Sequence, residues 1–246
     1  MIRPPSSTLL SIPGFSDPVS SLTHLAGAVV FAILGFFLIR RGRGKWRRVV
    51  SLSVFIVSCV LLLSLSGTYH LLLPDTTGRE VLRRLDHAAI FVLIAGSFTP
   101  IHVILFHGPW YRDLLVWIWV LAIGGLTVTT AYFNSMPEWL ALAMYLGLGW
   151  LGVISTVSIA RRFGWRVILL LVWGALAYTI GALADFLQWP TLIEGVVRPH
   201  ELFHFAVLAG IACHWAFIRR IADGRSAIFL DPQVTVLHIL AGGERG

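Results

Sequence analysis

Seven apolar runs of about 20 residues follow one another along the chain, at roughly 19–40, 49–73, 85–107, 113–133, 137–160, 165–188 and 200–221. A helix rises about 1.5 Å per residue, so a run of this length crosses the hydrocarbon core of a bilayer. The runs do not alternate polar and apolar residues, as the strands of a membrane barrel would. The pattern predicts an all-α fold, a seven-transmembrane helix bundle. Composition agrees, because 57% of the 246 residues are hydrophobic and only 13% are charged, about half the charged share of a soluble domain. The mean hydropathy is +0.82, and lipid must be the solvent for most of this surface. Ten tryptophans suit a chain with two membrane–water interfaces.

The reading divides the chain into an N-terminal tail (1–18), a membrane core (19–221) and a more polar C-terminal tail (222–246). An apolar patch in that tail, Val234 to Leu240, is a candidate for docking on the membrane surface. The Pro- and Ser-rich start has no apolar stretch long enough for a signal peptide, so the first span is expected to direct insertion. Short loops make neighbouring helices antiparallel. Gly124, Gly125, Gly147, Gly149 and Gly152 in spans 4 and 5 are read as sites of close helix packing. Cys59 and Cys213 lie in separate apolar runs with no Cys-x-x-Cys spacing, and are read as packing residues.

The net charge is +7, yet its distribution argues against a nucleic-acid partner. The basic residues sit in the loops between spans. Seven spans put alternate loops on one side, where Arg40, Arg41, Arg43, Lys45, Arg47, Arg48, Arg112, Arg161, Arg162, Arg166, Arg219, Arg220, Arg225 and Arg245 collect. The other side has only Arg3, Arg79, Arg83, Arg84 and Arg198. The positive-inside rule then places the N-terminus outside and the C-terminus in the cytoplasm, in a bacterial inner (plasma) membrane.

Ionisable residues near or within spans are functional candidates. His70 ends span 2, Asp86 begins span 3, and His200 and His204 begin span 7. The span count brings all four to one end of the bundle. His200 and His204 lie one turn apart on the same helix face, about 6 Å, a spacing that offers two imidazoles to one metal. With His70 they make a three-histidine set leaving a fourth position open, as in catalytic zinc sites. Asp86 suits a general base or a partner for bound water. Ser66, one turn before His70, could orient that water or hold a substrate carbonyl. Asp17, Ser20 and His24 at the start of span 1, and Asp185 near the end of span 6, reach the same face as supporting or entrance residues. Helix capping is the alternative role for Asp17, and an interfacial charge for Asp185. His87, expected to face away from Asp86, is read with His102, His107, His214 and His238 as an interfacial or packing residue.

At these residues the chain resembles the hemolysin III family, the bacterial branch of the progestin and adipoQ receptor superfamily. The resemblance is carried by DPVSSLTH from Asp17 to His24, SGTYH from Ser66 to His70, LRRLDHAAIFVLIAGSFTP from Leu82 to Pro100, and HELFHFAVLAGIACH from His200 to His214. It departs where the family usually has Glu and Asn and this chain has Asp17 and Ser20. The resemblance implies zinc held by His70, His200 and His204, with Asp86 near the metal-bound water and Ser66 in a Ser-x-x-x-His motif. Similar sites in adiponectin receptors and alkaline ceramidases imply hydrolysis of a lipid amide. Adiponectin receptors place their zinc toward the cytoplasm, whereas the charge distribution here places the site outside.

Three functions follow as expectations: a zinc-dependent intramembrane hydrolase acting on membrane lipids; a receptor-like or membrane-homeostasis protein with structural zinc; and a membrane-lytic protein, which the scarcity of mid-span polar residues disfavours. The substrate and the oligomeric state are left open.

Overall fold

The computed structural model describes residues 17–194 and 196–224. Seven helices are long and apolar enough to cross a membrane: α1 Pro18–Arg41, α2 Trp46–Leu71, α3 Thr77–Leu105, α4 Pro109–Ala131, α5 Glu138–Phe163, α6 Trp165–Leu187 and α7 Pro199–Ile221. The described residues contain no strand, only an isolated bridge between Ile193 and Val197 in the α6–α7 loop. The C-terminal patch, Val234 to Leu240, lies outside the described residues.

Local chemistry sets the helix ends. Pro18, Pro109 and Pro199 stand in the first turns of α1, α4 and α7, where a missing N–H costs nothing. Thr76 caps α3 by accepting a hydrogen bond from the Arg79 amide. Gly164, at a φ of 91° open to glycine, turns the chain between α5 and α6. The largest difference from the sequence reading is at α3, which begins at Thr77 rather than near residue 85. Its first turns carry Arg79, Glu80, Arg83 and Arg84, so hydropathy misses them although the cap and backbone continue the helix. Asp86 therefore lies about two and a half turns inside α3, not at its start.

The α3 helix is the centre of the bundle, with 72% of its apolar window buried, against 11% for α5. The main core joins α2 and α3 through Leu52, Phe55, Cys59, Leu63 and Leu93 to Ile211 and Ile218 of α7. A smaller one joins α3, α4 and α5 through Phe91, Ala95, Ile118, Ala122 and Leu148. The reading of the glycines as packing sites needs correction. A Cβ on Gly125 would meet Phe91 at 2.4 Å and one on Gly152 would meet Phe98 at 3.3 Å, but Gly124, Gly147 and Gly149 face open space. These three lie on surfaces turned away from the bundle, a partition that composition does not reveal.

At the site end, α1 and α2 touch almost backbone to backbone. A Cβ on Gly67 would lie 2.7 Å from Leu25, and the Ser21 hydroxyl donates to the Gly67 carbonyl at 2.8 Å. The Asp17 amide donates to the His70 carbonyl at 3.0 Å. This seam fixes the start of α1 against the last turn of α2.

Candidate metal centre

The ends of α2 and α7 bring His70, His200 and His204 together. Their facing nitrogens lie within 4.8 Å of one another, close enough to hold a metal ion. Nε2 of His200 is 3.2 Å from Nε2 of His70 and 3.2 Å from Nε2 of His204.

The other nitrogens decide what those contacts mean. Nδ1–H of His70 donates to Asp17 Oδ2 at 3.1 Å, and Nδ1–H of His200 donates to Asp185 Oδ1 at 3.2 Å. An ionised carboxylate only accepts, so in each neutral ring the proton sits on Nδ1 and Nε2 is bare. With both rings neutral the two Nε2 atoms face each other as lone pairs, unless one ring carries a second proton. A shared cation resolves that conflict, and a carboxylate on the far nitrogen is the usual support for a metal-bound histidine. His204 lacks a carboxylate: its buried Nδ1 makes no well-formed hydrogen bond, and the polar group beside the ring is the Ser20 backbone. Its ring is instead held by His24, stacked at 3.9 Å between centroids, whose Nε2 lies 3.4 Å from the His204 carbonyl.

Asp17 serves more than His70. It also accepts from Arg79 at 2.8 Å, and Arg79 lies over the Tyr69 ring and donates to the Leu72 carbonyl. Burial pushes the Asp17 carboxyl up, but hydrogen bonds and charge from His70 and Arg79 outweigh it and hold the group well below the usual carboxylate range. Asp17 occupies the N-cap position of α1 without capping it, because its side chain makes no bond to the helix amides.

Asp86 comes from α3. It accepts a hydrogen bond from the Ser66 hydroxyl and lies within electrostatic reach of His200. His87, expected to turn away from that group, keeps Nδ1 3.9 Å from Asp86 Oδ2, while its ring packs edge-on against Phe133 at 5.2 Å. The ring nitrogen donates to the Arg83 carbonyl at 2.8 Å.

Glu201 was not among the sequence candidates, although it stands inside a His-Glu-x-x-His run. That spacing places a general base beside zinc in many metalloproteases. Here the carboxylate is otherwise employed: it accepts from the Arg198 amide at 3.0 Å, closing the first turn of α7, and from Ser20 at 3.4 Å. It is almost fully buried, and it ties α7 to α1 behind the histidines.

Exposure shows which way the cluster opens. The side chains of His70 and Asp17 are 4% and 16% exposed, whereas His200, Asp185 and His87 reach 36%, 31% and 41%. The α1–α2 side is sealed, and the more exposed groups of the cluster stand on α3, α6 and α7.

Fold and site together define a multi-pass membrane protein with a three-histidine cluster at one end. The Haemolysin-III related family model matches residues 15–215, and the chain belongs to this hemolysin III family, within the wider progestin and adipoQ receptor group. It is 30% identical to Hemolysin-3 of Bacillus cereus over 195 residues, covering 78% of this chain and 85% of that protein. It is also 30% identical to the Hemolysin-3 homolog of Bacillus subtilis, over 78% of this chain and 88% of the relative. Progestin and adipoQ receptor-like protein 1 of Caenorhabditis elegans is 25% identical over 91% of this chain and 57% of its own length.

Proposed function

We propose that the protein is a zinc-dependent hydrolase of lipid amides that works at the membrane surface. The observation that carries this reading is the pair of bare Nε2 atoms 3.2 Å apart, each backed by a carboxylate on Nδ1. Two nitrogens bound to one tetrahedral zinc at about 2.0–2.1 Å stand about 3.3 Å apart, so the residues fit that ion. Bound zinc would polarise an amide carbonyl and lower the pKa of water in its fourth position.

The protein's own groups supply the rest. Asp17 and Asp185 hold His70 and His200 in the tautomer that presents Nε2. Asp86 takes the proton from the attacking water on its carboxylate and returns it to the departing amine nitrogen. Ser66, donating to Asp86, aims the carboxylate. The more exposed side at α3, α6 and α7 admits a lipid from the bilayer while the α1–α2 seam keeps bulk water from the far side. The charge distribution supports an outward-facing site: among described residues the opposite end carries Arg40, Arg41, Arg47, Arg48, Arg161 and Arg219 in its helix ends and loops, as a cytoplasmic face does.

The test is purified protein in lipid nanodiscs, assayed for metal content and for fatty acid released from lipid amides by mass spectrometry. One zinc per chain with release that stops in Asp86→Asn supports the hydrolase. One zinc without turnover of any lipid amide would overturn it in favour of a metal that only braces the bundle.

A further inference from the structure

Arg83 and Arg84 are neighbours in α3 that converge on one aromatic ring. Their guanidinium carbons lie 4.8 Å and 5.8 Å from the Phe133 centroid. The Nε atoms of both are buried without a hydrogen-bond partner. Arg84 has no carboxylate partner among the described residues, and Arg83 has only Glu80, one turn away on the exposed surface at 3.0 Å. Arg79, in the same helix, has the opposite character, its guanidinium taken up by Asp17, the Leu72 carbonyl and Tyr69. Two like charges gathered at one ring, with no carboxylate between them, are arranged for an anion from outside the chain to meet their outer guanidinium nitrogens.

The pair also stands beside the metal centre's more exposed side. The Arg83 carbonyl holds the His87 ring, that ring packs on Phe133, and His87 feels the charges of His200 and Asp185. Phe133 lies in the α4–α5 loop between two helices long and apolar enough to span a bilayer, where the chain leaves the apolar layer and lipid headgroups are the abundant anions. We infer that Arg83 and Arg84 bind the phosphate of a lipid headgroup and select anionic lipids for the site. Naming that lipid as a substrate rests on the hydrolase reading, whereas the binding itself does not.

Binding is therefore tested without turnover. Full-length protein in nanodiscs of equal parts phosphatidylglycerol and phosphatidylcholine is crosslinked with a photoactivatable analogue of each lipid, and crosslinks are mapped by peptide mass spectrometry. The phosphatidylglycerol analogue should mark residues 81–90 and 132–137 in preference to the phosphatidylcholine analogue by about tenfold, the effect of one charge-assisted hydrogen bond. The preference should vanish at these peptides in Arg83→Gln/Arg84→Gln and survive in Arg84→Lys, while crosslinks at the opposite end stay constant. Competition by millimolar inorganic phosphate that equals competition by phosphatidylglycerol would show a free-phosphate site and overturn the lipid assignment. Equal crosslinking by both lipids, or a preference unchanged in the double variant, would overturn the anion site itself. Zinc content and unfolding temperature of each variant identify one that has failed to fold, and Arg84→Gln alone, keeping Arg83 on Phe133, then provides the comparison.

Discussion

Two buried histidine arrangements lie at opposite ends of this bundle, and only one of them is incomplete. At the far end, His102 of α3 donates from Nδ1 to the Tyr111 carbonyl at 3.0 Å and accepts at Nε2 from the Ser155 hydroxyl at 2.8 Å. Every donor there has an acceptor, and the neutral ring simply staples α3, the start of α4 and α5. At the other end, His70 and His200 have the same kind of acceptor on Nδ1, but each Nε2 finds another bare nitrogen instead of a hydroxyl. A helical setting is common to both, and His70, His204 and His102 are all buried. The difference is whether the second nitrogen is satisfied within the chain, and that separates a packing histidine from one placed to hold a metal ion.

The widest test of this contrast removes one ring from each end. His204→Ala should abolish stoichiometric metal, read by elemental analysis of the purified protein. His102→Ala should leave the metal in place and lower stability by about 1–3 kcal/mol, because the Ser155 hydroxyl loses its acceptor. Metal retained in the first variant, or lost in the second, would erase the distinction.

Chemistry can next be separated from binding. Asp86→Asn should keep the metal but slow lipid-amide hydrolysis by about 10²–10⁴-fold, the usual worth of a general base. The supporting carboxylates come next. Asp17→Asn and Asp185→Asn should each weaken metal affinity by about 10–100-fold, measured by competition with a fluorescent chelator. Asp17→Asn should do more harm, since it also leaves Arg79 without its carboxylate. The smallest change is Ser155→Ala, which should cost about 1 kcal/mol with metal content unaffected; a shift in metal affinity would mean that the two ends communicate.

Much of this was readable from residue order. Hydropathy located the seven helices, and the parity of the spans brought His70, Asp86, His200 and His204 to one end, with Asp17, Ser20, His24 and Asp185 near them. Other features were not readable. The early start of α3 was hidden because its first turns are charged and only the Thr76 cap announces them. Ser66 bonds Asp86, a pairing across α2 and α3 that spacing along one helix cannot display. The His-Glu-x-x-His run could have flagged Glu201, but would have suggested a catalytic base where the fold uses the carboxylate as a cap and brace.

Sequence by itself determined depth: which residues lie in lipid, which at its surface, and at which end of the bundle each polar group falls. It could do so because a bilayer imposes one dimension on every helix, and counting turns along that axis is enough. Azimuth belonged to the tertiary structure. Packing at Gly67, Gly125 and Gly152 rotates the helices against one another, and only that rotation assigns Asp17 to His70 and Asp185 to His200 and turns Asp86 toward the cluster. The same rotation gives His102 a serine and leaves His70 and His200 facing each other.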